Sequence, residues 1–470
     1  MTAADSATVL TDVPSEQRRA DDSTPTVTTW YEEADQMGAR RPNILYIHSH
    51  DTGRYVQPYG HAIPTPHIQR LAEEGVLFRK AFCAAPTCSP SRASLLTGQH
   101  AHNSGMLGLA HRGFKLNDYK QHWLYTLRGL GYHCALIGEE HLTKDHHTIG
   151  YDLVCDIEGF QAGVVAPAAV ELIRGGLAQP FYLSVGFFET HREFLKPCTL
   201  GDANYSLPPA PLLDTPETRC DMGAFKASAW DLDQGIGVVL RALDDAGLAE
   251  RTLVLCTTDH GIAFPRMKGN LTDHGIGVML ILRGPGGFRG GKVCDALVSH
   301  IDVFPTLCGL LHIERPRWLQ GASLLPLVRG EVEELHEAIF AEVTYHAAYE
   351  PQRAVRTQRW KYIRRFDHHL GPVLANCDDS PSKDVLMRHG WTERSRPLEQ
   401  LYDLVFDPNE ACNMANDLSM AVVLEDMRTR LDDWMFKTDD PLLRGPVAAP
   451  PGAELNDPAH LSPSYPTRFV

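Results

Sequence analysis

Residues Asn43–Gly53 read NILYIHSHDTG: a short, mostly apolar run followed by a polar turn that carries His50 and Asp51. An unbroken apolar run of this length suits a strand buried on both faces of a parallel sheet. Three further runs end in the same way. YHCALIGEEHL closes on Glu139, Glu140 and His141, FYLSVGFFETH on Glu189 and His191, and LVLCTTDHG on Asp259 and His260. Open parallel sheets bind ligands beyond the carboxyl ends of their strands. One such polar end is an ordinary solvated turn, but four built from histidines and carboxylates predict a single site.

Helical patterns at Pro66–Gly75, Ser89–Thr97, Asp118–Leu130 and Asp221–Ala246 alternate with these strands, and GVMLILRGPG adds another strand and turn. The alternation predicts an α/β fold with a large, mostly parallel sheet sandwiched by helices. After about Val328 the runs EAIFAEVTY, AVRTQRWKYIRRF and EQLYDLVFDP read as shorter strands of an antiparallel sheet, with a helix near Ala421–Trp434. The expected organisation is a flexible arm (1–38), a catalytic domain (39–330), a smaller C-terminal α+β subdomain (331–440) and a proline-rich tail (441–470) without regular structure.

Of the 470 residues, 43% are hydrophobic and 22% charged, the balance of an ordinary globular protein. No apolar run approaches the roughly 20 residues of a membrane span, and the first residues lack the apolar core of a secretory signal. Eleven cysteines without a CxxC pair read as reduced thiols, so a cytoplasmic location is expected. A formal net charge of -15 with no long basic run argues against nucleic acid and anionic membranes as partners. It leaves a small anion, drawn by a focused cationic pocket, as the expected substrate; a homo-oligomer is compatible with the sequence.

The stretch CSPSRASLLTG, Cys88–Gly98, poses the chemical question. Ser89 is placed to act as N-cap with Pro90 at the first helical position, which sets Cys88 beside a helix N-terminus that favours anions. Arg92, near the first turn, adds a fork of donors suited to a tetrahedral oxyanion. These residues alone leave Cys88 open as a core thiol, a thiolate nucleophile or a precursor. His50–Asp51 and Asp259–His260 have the composition of a metal site, carboxylates suiting hard dications and imidazoles shifting preference toward Mn²⁺ or Zn²⁺.

CSPSRASLLTG resembles the signature of the formylglycine-dependent sulfatases of the alkaline phosphatase superfamily, Cys-x-Pro-x-Arg followed by Leu/Met-Thr-Gly. Other landmarks follow in order from Arg41 to about Asp439: PNILYIHSHDTG, PTPHIQRLAEEGVLFRKAF, TTDHG, KGNLTDHGIGVMLILRGPG and LYDLVFDPNEACNMA. The spacing of PSRASLLTGQHAHNSGMLGL looks most like the sulfamidase (heparan N-sulfatase) branch. The resemblance implies an alkaline-phosphatase-like fold and a sulfuric ester or sulfamate hydrolase. A maturation enzyme converts Cys88 to formylglycine, whose hydrate attacks sulfur and then expels sulfate as a hemiacetal collapses. Arg92 would hold the hydrate, and Asp51, Asp259, His260 and residue 88 would bind one divalent cation. His191 and Lys268 would bind the sulfate and protonate the leaving group, and His141 would help release sulfate.

Two positions depart from that pattern. His50 replaces the first of two aspartates, and with His260 in place of the frequent asparagine it moves the expectation from Ca²⁺, the family default, toward Mn²⁺; His50 is therefore a candidate ligand. Glu139 replaces a lysine that contacts sulfate, so it either receives a cationic part of the substrate or serves structurally, with Lys144 as a compensating cation. Histidine at 260 also fits a phosphonate monoester or phosphodiester hydrolase on the same scaffold. The residues also admit a non-catalytic relative with unconverted Cys88, and a plain cysteine hydrolase. His100, His102 and His111 are candidates to line the pocket, whereas KDHH at 144–147, DHH at 367–369 and RWKYIRRF read as exposed surface.

Overall fold

Asn43–Ser49 forms β1, buried along its whole length, because it lies in the middle of an eight-stranded sheet covered on both faces. The computed structural model describes residues 41–194 and 203–470; the arm expected over 1–38 lies outside them. The chain continues through α1 (Pro66–Glu74), β2 (Val76–Phe78), α2 (Cys88–Thr97), α3 (Trp123–Gly129), β3 (His133–Gly138) and β4 (Leu153–Cys155). It then forms α4 (Ala162–Arg174), β5 (Phe181–Gly186), α5 (Pro216–Asp245), β6 (Thr252–Thr258), β7 (Leu280–Arg283) and β8 (Lys292–Cys294).

The strand order is β4-β3-β5-β1-β6-β7-β2-β8. β1 lies parallel to both neighbours, with Ile44 opposite Tyr182 on one side and Leu253 on the other. β7, read from GVMLILRGPG, is antiparallel to β6 and to β2. The reason is that no crossover helix separates β6 from β7: the chain stays at the carboxyl edge of the sheet from Asp259 onward and can only run back. On one face Leu45, Ile47, Val185 and Val254 pack with Ala166 of α4 and Ile236 of α5. α5 begins at Pro216, five residues before the expected Asp221, because Thr215 and Thr218 close a capping box ahead of the apolar pattern.

The second sheet is formed by β9 (Ala338–Tyr345), β10 (Tyr349–Thr357), β11 (Trp360–Arg365) and β12 (Glu399–Asp403), all antiparallel, with α6 (Pro381–Arg388) inserted before β12. α7 (Ala421–Lys437) covers it, placing Met427, Leu431 and Trp434 on Val355, Tyr362 and Leu401.

RWKYIRRF is not the exposed strand face expected. Lys361 is buried, donating to Leu271 O at 2.8 Å and meeting Asp273 at 2.8 Å, and Arg365 is buried as well. Lys361 clamps the loop that follows Lys268. The tail also departs from expectation, since Glu454–Leu455 (β13) pairs with Arg468–Phe469 (β14). Asn456 anchors it to the body of the chain, donating its N–H to Ala347 O at 2.9 Å and accepting from Arg112 at 2.8 Å.

Candidate active site

The carboxyl edge of β1 is shaped by a turn in which Asp51 adopts φ +52 and Gly53 φ +57. The Asp51 N–H donates to Asp259 Oδ1 at 2.8 Å, and the Thr190 hydroxyl donates to the carbonyls of His50 and Asp51. Ends of β1, β5 and β6 are thus tied together before any side chain reaches the site. His260 lies beside Asp259 and hydrogen-bonds through Nδ1 to Gly261 O at 2.9 Å. A carbonyl only accepts, so Nδ1 carries the proton and Nε2 keeps its lone pair. That lone pair is 3.3 Å from Asp51 Oδ1 and 3.4 Å from Cys88 Sγ.

Cys88 is the first residue of α2, which is buried throughout. The N-cap is Thr87, not Ser89 as expected; the Ser89 hydroxyl is occupied in accepting from the Ala110 N–H at 2.9 Å. Burial pushes the Cys88 thiol well above its ordinary range; Lys268 works against this, and Asp51 and Asp259 add to it. One turn on, Arg92 donates to His48 Nδ1 at 2.6 Å, to Ser49 O at 2.8 Å and to Asp259 Oδ2 at 3.1 Å. Because arginine only donates, His48 must accept at Nδ1 and therefore donates from Nε2 to Ser184 Oγ at 3.1 Å.

Lys268 Nζ lies 2.9 Å from Asp51 Oδ2, 3.2 Å from Asp378 Oδ2 and 3.4 Å from His191 Nε2. Burial opposes its charge, but Asp378 and Asp51 outweigh burial and hold its pKa well above the usual lysine range. His191 donates from Nδ1 to the Arg192 carbonyl, which leaves Nε2 as the atom facing the lysine. His141, with φ +59, pairs through Nε2 with His111 Nδ1 at 2.8 Å, and its ring centre is 5.9 Å from that of His50. Burial pushes His141 down to about 3. His50 is also held well below the usual histidine range, by burial and then by Arg92, so both imidazoles are neutral.

The donor set fits a divalent cation. His50, Asp51, Cys88 and Asp259 bring one ligand atom each within 4.8 Å of one another. His50 is 2% exposed, yet neither ring nitrogen has a hydrogen-bond partner, and Asp51 Oδ1 has none either. Unpaired buried polar atoms are costly, and a bound cation would satisfy Asp51 Oδ1 and the one His50 nitrogen that carries a lone pair.

Several expected members lie elsewhere. Glu140 turns away to His122 at 3.3 Å and to Tyr151, and the Glu189 carboxylate accepts from the Ala162 N–H at the start of α4 at 2.9 Å. His100 accepts from Trp434 at 3.1 Å and His102 pairs with Glu342 at 2.9 Å, so both hold α7 and β9 and do not line the pocket. Lys144 lines the same cavity as Glu139, with its Nζ 4.0 Å from Glu454. Glu139 pairs with His146 at 3.2 Å, which places the first histidine of KDHH in the pocket wall and not on open surface. Burial opposes the Glu139 charge, but His146 holds its pKa below the usual carboxylate range. Glu139, His111, His141 and His146 border a cavity of about 880 Å³.

Three residues near the site escape a sequence reading. His48 hides inside an apolar strand, Asp378 sits in a loop far along the chain, and His346 lies buried beside it, with Nδ1 3.2 Å from Asn376 O. His346 is pushed down to about 3 by burial and then by the charge of Lys268.

Comparison with known proteins agrees with this geometry. Residues 42–313 match the family described as Sulfatase, and residues 266–382 match a domain described as N-sulphoglucosamine sulphohydrolase, C-terminal. Human N-sulphoglucosamine sulphohydrolase is 30% identical, over 87% of this chain and 92% of its own. An ulvan-active sulfatase of Formosa agariphila is 26% identical, over 85% of this chain and 76% of its own. A structure solved with D-glucosamine-2-N,6-O-disulfate as its substrate superposes with TM-score 0.69 at 18% identity, covering 87% of this chain and 99% of that one. The phosphonate monoester hydrolase of Agrobacterium radiobacter superposes with TM-score 0.65 at 21% identity, covering 87% and 100%. With a family match over more than half its length and a full-length relative of this identity, the chain belongs to the sulfatase family.

Proposed function

We propose that the protein hydrolyses a sulfate ester or a sulfamate, releasing inorganic sulfate, with residue 88 as formylglycine and one divalent cation held by His50, Asp51, Asp259, His260 and residue 88. The observation that carries this reading is the buried cluster of Cys88, Arg92, two aspartates, two histidines and Lys268 at one sheet edge, with no hydrogen bond to either His50 nitrogen and Nδ1 3.4 Å from Asp259. Formylglycine, when present, supplies a hydrated aldehyde as nucleophile and a hemiacetal from which sulfate can leave without attack of water on sulfur; the cation supplies Lewis acidity.

The chain's own residues do the rest. Arg92 keeps a positive charge against Asp259 and the start of α2. Lys268, tied to Asp51 and Asp378, is the cation suited to receive a sulfate oxygen. His191, with Nδ1 fixed on a carbonyl, exchanges protons only at Nε2, the atom suited to serve the leaving oxygen or nitrogen. His141 keeps Nδ1 free while His111 holds its other nitrogen. Nitrogen from His50 and His260 favours Mn²⁺ over the Ca²⁺ usual in the family. The sulfamate branch is supported by likeness to human N-sulphoglucosamine sulphohydrolase. A cytoplasmic location belongs to the same reading, supported by the thiol state of the ten described cysteines; recovery of the native protein only outside the cytoplasm would overturn it.

The test is co-expression with a formylglycine-generating enzyme, intact-mass analysis, and steady-state turnover of N-sulfoglucosamine, 4-nitrophenyl sulfate and a phenyl phosphonate monoester. Conversion at Cys88 with preferred cleavage of a sulfur substrate is expected. A persistent thiol would sink the mechanism and leave a non-catalytic relative or a cysteine hydrolase. Preferred phosphonate cleavage, the reading His260 favours, would replace the sulfatase activity. Dialysis against a chelator should lower the melting temperature, and Mn²⁺ at about 100 times its Kd should restore about 2.7 kcal/mol.

A further inference from the structure

The segment between β11 and α6 carries Asp378 to the reaction centre, and the chain fixes the backbone around it. Lys383 of α6, 3% exposed, donates to Leu374 O at 3.0 Å and to Cys377 O at 2.8 Å. Asn376 accepts from the Ala348 N–H at 2.7 Å and donates to Glu350 at 2.7 Å. The Asp378 carboxylate takes no part in this fastening. Its Oδ2 is buried 3.2 Å from Lys268 Nζ without a hydrogen-bond partner, and among the described residues Oδ1 makes no hydrogen bond either. The side chain as a whole is 22% exposed, which leaves the carboxylate open to a ligand.

A carboxylate beside a lysine ordinarily serves to hold it. Asp51 already does that, accepting from Lys268 Nζ at 2.9 Å, so Asp378 brings a second negative charge to a cation that is already held. Burial opposes the charge of Asp378, but Lys268, first among its neighbours, holds its pKa below the usual carboxylate range. The charge of Asp378 also reaches His191, whose Nε2 lies 3.4 Å from Lys268 Nζ. Beside it, His346 is 6% exposed and donates from Nδ1 to Asn376 O at 3.2 Å, so its Nε2 keeps a lone pair. Burial keeps that imidazole neutral, and it adds an acceptor without adding a cation.

His191 Nε2, the atom suited to serve the leaving group, therefore works between a lysine and an ionised carboxylate that no hydrogen bond consumes. The two leaving atoms of the sulfatase reading make different demands there. A sulfate ester releases an alcohol: its bridging oxygen carries no hydrogen beforehand, and the product is neutral. A sulfamate nitrogen carries a hydrogen from the start. Over a turnover the S–N bond breaks and its electron pair stays on nitrogen. Sulfur gains the hydroxyl of a water, and nitrogen gains the remaining hydrogen, delivered from His191 Nε2. A further proton from solvent makes the amine an ammonium. Next to Lys268 that cation is repelled unless a carboxylate offsets it, and a carboxylate is also the strong acceptor for its N–H groups.

We propose that Asp378 is a specificity-determining residue of this site, favouring a nitrogen leaving atom over an oxygen one, with His346 as the neutral acceptor beside it. The inference rests on the sulfatase reading and deepens it, because it assigns the preference between S–N and S–O bonds to one side chain of the C-terminal subdomain.

The test uses converted enzyme and two substrates that differ only in the leaving atom, N-sulfoglucosamine and glucose 2-sulfate. The parent should cleave the sulfamate with the higher kcat/KM; the reverse preference overturns the proposal. D378N keeps the shape of the side chain and removes its charge. It should lower kcat/KM for N-sulfoglucosamine about tenfold or more, the loss expected when a charge-assisted contact becomes neutral, and leave that for glucose 2-sulfate unchanged. Because Asp378 makes no hydrogen bond, the variant should keep the parent melting temperature. Equal losses on both substrates would make Asp378 a support for Lys268 and overturn the assignment, as would no loss on either. A second arm needs neither turnover nor a change at Asp378. The full chain with Cys88→Ala should bind glucosamine, an ammonium in mildly acidic buffer, more tightly than N-acetylglucosamine in calorimetry. Absence of that preference overturns the proposal, and so does its persistence when D378N is added. A parent that cleaves neither substrate while the ammonium preference holds would count against the sulfatase reading alone.

Discussion

Among the described residues, two arginines are buried completely and are used in opposite ways. Arg353, on β10, donates to Asp440 through Nε and Nη2, and to Val343 O, Thr344 Oγ1 and Gln352 O through Nη1, with Glu342 3.3 Å from Nη2. Arg92 meets one carboxylate, Asp259, besides His48 and Ser49 O, and its Nε has no partner. The first is saturated by the chain itself and fixes β10 to the segment after α7. The second keeps uncancelled charge beside residue 88, which a structural clamp would have no reason to do. Saturation therefore separates a buried charge that builds the fold from one that awaits a ligand.

Substitution should expose that difference most strongly at Arg353. R353A leaves Asp440 as a buried, uncompensated charge and leaves Glu342 with His102 alone, a loss of about 3–5 kcal/mol. Denaturant unfolding should show it, with turnover per folded molecule unchanged. R92K keeps a charge but not the fork. Turnover normalised to formylglycine content should fall by about 10²–10³, with a smaller loss of stability. If R92K instead unfolded the protein as R353A does, Arg92 would be a clamp as well, and the distinction would fail.

His48 tests how Arg92 is aimed. The H48A variant removes the acceptor at Nδ1, and a lost orienting contact of this kind costs about 10–100-fold in activity. H48N returns an acceptor oxygen near that position and should recover most of the kcat. A positioning role moves kcat and leaves KM nearly fixed; equal losses in both variants would mean that His48 only fills the space beside Ser184 and Gly186.

How much of this was legible follows from the chemistry of burial. Parallel strands announce themselves as apolar runs, and their polar ends mark the ligand edge, so β1, β3, β5 and β6 and the residues His50, Asp51, Asp259 and His260 could be read directly. Direction could not be read. Adjacent residues at a strand end face opposite ways, and Glu139 borders the cavity while Glu140 points back to His122. His48 and Asp378 stayed hidden for different reasons. The first is a polar residue in an apolar strand with no periodicity to flag it, and the second reaches Lys268 only through tertiary folding.

An unpartnered polar atom does not always await a ligand, and Glu410 shows the limit. Its Oε1 lacks a hydrogen-bond partner, although Lys361 lies 3.6 Å away and its Oε2 accepts from the Asp273 N–H. Burial pushes Glu410 up to about 7, Lys361 opposing and Asp273 adding to the shift, so near neutrality the empty lone pair is explained by a proton. A folded-state pKa raised from 4.5 means that the folded chain holds this proton more tightly than the unfolded chain does. The stability it contributes is complete below pH 4.5 and is lost as pH rises through about 7. The slope is at most about 1.4 kcal/mol per pH unit. E410Q carries a permanent donor in place of that proton, so its stability should be flatter between pH 5 and 8 and should exceed that of the parent at the upper end. The same slope in both proteins would mean that Glu410 is ionised throughout, and its orphaned oxygen would then need another explanation of the kind given for His50.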